Sequence, residues 1–144
     1  MRIDELATPA ALIEDARLAR NIARMQSRMD SLGVSFRPHV KTSKCVEVAR
    51  RQLAAGARGI TVSTLKEAEQ FFQAGFQDIL YAVSLAPQKV APALDLRRRG
   101  CQLQVVVDSM AAARALTEQA LKEPVPEPVP VLIEVDVDGH RGGV

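Results

Sequence analysis

Apolar positions along the chain follow two rhythms that alternate. Between residues 15 and 32, Leu18, Ile22, Met25, Met29 and Leu32 recur at steps of four and three. That spacing predicts a helix with one apolar stripe, which Asp15 can cap and Gly33 can end. Short apolar runs at 10–13, 36–41, 59–63, 79–83, 103–107 and 131–137 predict strands. Helices are predicted between them at 43–55, 64–74, 87–99 and 109–121. Thr64 and Glu67 have the spacing of a capping box, Pro87 suits a first helical position, and Ser109 can cap.

Five predicted strands follow the first helix and alternate with helices. Such a repeat calls for parallel strands joined by right-handed crossovers. The runs at 79–83 and 103–107 are almost wholly apolar, as expected of a sheet covered on both faces. A doubly wound sheet and a (β/α)8 barrel both satisfy the pattern, but no GxGxxG or GxxxxGK[ST] follows any strand, so the nucleotide-binding versions lose support. The stretch 123–130, Glu-Pro-Val-Pro-Glu-Pro-Val-Pro, cannot be helical and is read as a stiff extended connector.

Composition narrows the picture only a little. The 144 residues, 47% apolar and 25% charged, suit one globular domain. A net charge of +2 and five aromatic rings, four Phe and one Tyr, give no footprint for nucleic acid or an anionic membrane. No apolar run approaches the length of a membrane span, and the chain reads as cytoplasmic. Cys45 and Cys101 have no metal-binding spacing and are expected to be buried free thiols. Arg20, Arg24 and Arg28 form a like-charged row on the first helix, read as a solvated face.

Two segments carry candidate chemistry, both at the C-terminal ends of predicted strands, where parallel barrels place their active sites. In 36–44, period two sets Arg37, His39 and Lys41 on one face. Three cations facing an interior require a bound anion or acidic partners on other strands, and Lys41 is a candidate nucleophilic amine. Pro38 is at odds with a long central strand. In 134–144, Glu134, Asp136 and Asp138 share a face and could meet those cations, or bind a divalent cation. The loop Gly139-His140-Arg141-Gly142-Gly143 allows close backbone approach to a ligand, and Arg141 offers a fork for an oxygen anion.

Taken together, RPHVKTSK, GITVSTLKEAE, TPAALIED and DGHRGGV resemble the fold-type III pyridoxal-phosphate enzymes, in the D-threonine aldolase and D-serine dehydratase branch related to alanine racemase. The resemblance covers essentially the whole chain. It implies the N-terminal part, about five strands, of a parallel (β/α)8 TIM-type barrel at 15–144, truncated before closure. Residues 1–14 would be a strand joining a second, β-rich domain. Lys41 matches the lysine that forms a Schiff base with pyridoxal phosphate and acts as an acid/base. Arg141 matches the arginine beside the cofactor's phenolic oxygen, and His39 and Thr42 would line the pocket.

The implied activity is that of a lyase on D-3-hydroxy amino acids. Aldol cleavage would give glycine and an aldehyde; dehydration would give a keto acid and ammonia. A divalent metal would serve the full-length enzyme through ligands outside this chain, and a homodimer is one assembly the family allows. A barrel wall standing alone would leave apolar edges bare, so the isolated chain is expected to be unstable or inactive. Other readings of the same residues are a non-catalytic pyridoxal-phosphate homeostasis barrel, an amino-acid racemase, a barrel using Lys41 without this cofactor, and a structural fragment.

Overall fold

The computed structural model describes residues 2–140 and 142–144. After a single 3-10 turn near the start come α1 (Asp15–Ser31), α2 (Val46–Ala54), β1 (Ile60–Val62), α3 (Leu65–Gln73) and β2 (Asp78–Ser84). Then follow α4 (Val90–Arg98), β3 (Gln102–Val107), α5 (Met110–Lys122) and β4 (Val131–Ile133). The strands form one sheet in the order β1-β2-β3-β4, and every pair is parallel. The order never reverses, so the sheet has no switch point of the doubly wound kind; it is built as a barrel wall.

Strand alternation divides the sheet into two faces. Ile60, Val62, Ile79, Tyr81, Leu103 and Val105 are fully buried, in one cluster with Phe71, Val90, Leu94 and Leu116 from the helices. Burying each large aliphatic side chain contributes about 1.5–3 kcal/mol, so this layer holds the wall together. Of the opposite parity, Leu80, Ala82 and Gln104 are only half-buried, while Val106 is buried. On β4, Val131, Leu132 and Ile133 are exposed.

Several predicted elements shift. The stretch 36–41 is not a strand. It makes one isolated parallel bridge, His39 to Thr61, before the chain turns, so the wall has four strands and a bridge where five strands were expected. Pro38 supplies its carbonyl to Thr61 N–H at 2.8 Å and has no N–H to continue a ladder. The turn delays the second helix to Val46. No strand forms at 10–13, and β4 stops at Ile133 instead of running to 137. Asp15 does not cap α1: Glu14 takes that position, while Asp15 pairs with Arg51 on α2. The α1 stripe is only partly covered; Leu18, Ile22 and Met29 are half-buried, and Met25 and Leu32 are exposed. Cys101 is buried, and burial pushes its thiol up to about 11, whereas Cys45 is half-buried.

The connector at 123–130 is non-helical and docked, but it bends at 126–127 instead of running straight. Arg97 donates to the carbonyls of Glu127 and Pro128, at 3.3 and 3.0 Å, and Val125 and Val129 pack on the core. Prolines leave carbonyls without neighbouring donors, which a guanidinium can satisfy.

At the N-terminal end of the wall, Arg37 meets Asp78 through two hydrogen bonds of 2.8 Å, and Gln104 donates to the same carboxylate at 3.2 Å. The acidic partner anticipated for the basic face therefore comes from β2, not from Glu134, Asp136 or Asp138. Gly59, at φ +66, makes room: a Cβ there would lie 2.1 Å from Arg37 Nη1 and 2.6 Å from the Asp78 carbonyl oxygen. Gly75 also has positive φ, at +95, but has open space around it. In the full-length protein, Gly59→Ala is expected to cost about 2 kcal/mol or more, and clearly more than Gly75→Ala, which bears the backbone cost alone. Urea unfolding of the two variants checks this, and equal losses would contradict the packing role.

Candidate active site

The backbone at 38–44 is pinned at its base and free at its tip. Val40 is 1% exposed and donates its N–H to Thr61 O at 2.9 Å. Its carbonyl accepts Lys44 N–H at 2.8 Å, which closes a turn. Lys44 completes that turn at φ +45, the one positive φ among the described non-glycine residues. Lys41, Thr42 and Ser43 form the exposed tip, just beyond the C-terminal end of β1. Among the described residues, the Lys41 amine takes no hydrogen bond or ion pair.

His39 ties the tip to β1. Lys41 N–H donates to His39 Nδ1 at 3.3 Å, which leaves the ring proton on Nε2, 3.2 Å from Ser63 Oγ. Burial, and then the charge on Lys41, lower the His39 pKa from the usual 6.5, against an opposing pull from Glu67. The ring is therefore neutral near pH 7, as the tautomer requires.

Glu67 lies one turn into α3, with its side chain 9% exposed. Its Oε2 accepts the N–H groups of Ser63 at 2.9 Å and Thr64 at 3.2 Å, while Thr64 Oγ1 accepts Glu67 N–H at 3.0 Å. This is the capping box read from the sequence, and it adds Ser63. The other oxygen, Oε1, receives Lys44 Nζ at 3.3 Å. Burial alone would raise the Glu67 pKa, but the Ser63 N–H, Lys44 and the Thr64 N–H together bring it below the ordinary value. The carboxylate is thus held charged and joins β1, α3 and the Lys41 turn.

The predicted residues do not all converge. Arg37 lies at the other end of the wall. Thr42 is exposed at the tip and makes no hydrogen bond among the described residues. Arg141 lies outside the described residues. The carboxylates share no common partner: Glu134 accepts Ser84 Oγ–H at 2.9 Å, Asp136 accepts the N–H groups of Asp138 and Gly139 at 3.4 and 3.0 Å, and Asp138 accepts that of His140 at 3.3 Å. Val144 N–H donates to Glu134 O at 2.9 Å, so residues 142–144 lie back against 134–136. A Cβ at Gly143 would come within 2.6 Å of Asp136 N. Among the described residues, no group of His, Cys, Asp and Glu side chains could hold a metal ion, and no helix is long and apolar enough to cross a membrane. Sequence reasoning missed the roles of Ser63, Lys44 and Ser84. The Thr64–Glu67 spacing, in itself a helix-start signal, is the trace of this arrangement that the sequence carries.

Comparison with known proteins places this geometry. The family model "Alanine racemase, N-terminal domain" matches residues 13–144. D-threo-3-hydroxyaspartate dehydratase of Delftia sp. strain HT23 is 63% identical over 96% of this chain and 36% of its own length. D-serine dehydratase of Dictyostelium discoideum is 36% identical over 98% of the chain and 37% of its own, and D-threonine aldolase of Arthrobacter sp. is 38% identical over 95% and 36%. The solved Delftia dehydratase superposes with a TM-score of 0.91, covering 97% of this chain and 36% of that one. The chain therefore spans little more than a third of the length of the relatives it matches.

The lowered His39 pKa has a defined sign. Between the folded and unfolded values the unfolded chain binds more protons, so stability from this group is full above 6.5 and declines as pH falls through the folded value. In the full-length protein, the ring signal that disappears in His39→Gln is expected to titrate below 6.5. A midpoint at or above that value in NMR would contradict the neutral tautomer.

Proposed function

Because the chain belongs to the alanine racemase N-terminal domain family, we propose that its site is the cofactor-anchoring corner of a pyridoxal-phosphate-dependent lyase acting on D-3-hydroxy amino acids. The observation that carries this reading is the free Lys41 amine at the strand mouth, on a turn fixed by Val40 below and His39 beside it. An amine that must condense with an aldehyde has to be unpaired and held in place. Lys41 meets both needs, so the residues present fit the cofactor.

In this reading Lys41 holds pyridoxal phosphate covalently and also serves as the acid/base at the substrate Cα. Arg141 would hold the cofactor's phenolic oxygen, and His39 and Thr42 would line the pocket. When bound, pyridoxal phosphate supplies an electron sink for charge developing at the substrate Cα. The neutral His39 ring keeps a further positive charge away from the Lys41 amine and fixes the backbone from which it projects. Residues 1–14 are assigned to a second, β-rich domain, and a divalent metal to the substrate hydroxyl. A metal-free form of a D-threo-3-hydroxyaspartate dehydratase variant has been solved, which supports a metal in that relative.

Dehydration is favoured over aldol cleavage, because the dehydratase relative is 63% identical and the aldolase 38%. The full-length protein, given D-threo-3-hydroxyaspartate, D-serine and D-threonine with pyridoxal phosphate and a divalent metal, is expected to release ammonia and a keto acid. Glycine and an aldehyde would instead support cleavage, inversion at Cα a racemase, and no product a carrier. Lys41→Ala is expected to lose hydride-trapped cofactor and to lower turnover by at least about 10²-fold. Trapping on a different lysine would refute the assignment.

A further inference from the structure

The turn that presents Lys41 ends in a backbone conformation that a lysine rarely adopts. Lys44 sits at φ +45, in the left-handed region where an L side chain crowds its own backbone. Such a residue persists only where its surroundings over-determine it. Two contacts do so here: its N–H bonds to Val40 O at 2.8 Å, and its ammonium pairs with Glu67 Oε1 at 3.3 Å.

The second contact gives a reason for a carboxylate at position 67. A capping box is satisfied by glutamine as well as by glutamate. The box uses only Oε2, which takes the Ser63 and Thr64 N–H groups. Keeping a charge on a side chain only 9% exposed is unfavourable unless a partner offsets it. The Ser63 and Thr64 N–H groups offset part of that cost, and Lys44 supplies the opposite charge, reached by the oxygen the cap leaves free.

We propose that Glu67 is a positioning residue for Lys41: its carboxylate tethers Lys44 in the left-handed conformation and so fixes the turn on which the Lys41 amine stands. The inference rests on the reading that Lys41 anchors pyridoxal phosphate. Without the tether, Lys44 relaxes toward ordinary φ, the Val40–Lys44 turn opens for part of the time, and the competent amine is diluted by that fraction.

The test uses the full-length protein titrated with pyridoxal phosphate, followed by absorbance, with hydride trapping to locate the modified lysine. Glu67→Gln keeps the cap and loses the tether; cofactor affinity is expected to weaken about tenfold. Lys44→Gly adopts positive φ without strain and needs no tether. In that background, Glu67→Gln is expected to change affinity less than about twofold. Rescue of this kind would not follow from a role confined to the α3 cap. Unchanged affinity in Glu67→Gln, or equal losses in both backgrounds, overturns the proposal. If Glu67→Gln fails to fold, Lys44→Met removes the tether with the cap intact, and wild-type affinity in that variant is equally fatal. If the parent protein takes up no cofactor at Lys41, the functional reading and this inference fall together. If the parent is labelled at Lys41 and the variants match it, only the positioning role is lost.

Discussion

The hydrogen-bonded seat of the segment 38–44 against β1 is the constraint on which the site depends. Three backbone bonds do the work: Thr61 to Pro38, Val40 to Thr61 and Lys44 to Val40. They join a residue buried at the wall, Val40, to three residues standing in solvent. A lysine has four rotatable side-chain bonds, so its amine is located only as well as its Cα is. Fixing that Cα through the main chain spares the amine itself from any partner, and a nucleophile needs that freedom.

Around this seat the polar groups are sorted along the strands. At the N-terminal end, Arg37, Asp78 and Gln104 form a closed, neutralised set with Gly59 leaving space for the guanidinium. At the C-terminal end, His39, Ser63, Glu67 and Lys44 form a second set that leaves the Lys41 amine without a partner among the described residues. The first group is satisfied within itself and stabilises the wall. In the proposed reading the second presents the reactive amine, which would put structural and chemical roles at opposite ends of the same four-stranded sheet, as in parallel barrels generally.

The βα order and its boundaries were largely legible from the residues. Hydrophobic period, the Thr64–Glu67 box, Ser109 and Pro87 report on neighbours within one turn, and they gave α3, α5, β2 and β3 to within a residue or two. The failures share a cause. At 36–41 the alternation is real, but Pro38 and the turn at Lys44 limit pairing to one bridge. At 131–137 the run is apolar, but the chain folds back through Gly143 instead of continuing the ladder. The choice between doubly wound sheet and barrel needed the strand order, which periodicity does not carry.

The sequence by itself determined the alternating architecture and the family resemblance, because helix caps, apolar period and local motifs are written in adjacent residues. Only the tertiary structure decided which charges meet. It joined Arg37 to Asp78, 41 residues away, gave Glu67 to Lys44, and set Glu134 against the Ser84 hydroxyl. An ion pair is a matter of a few ångströms across elements distant in the chain, and no reading of spacing along one strand contains that distance.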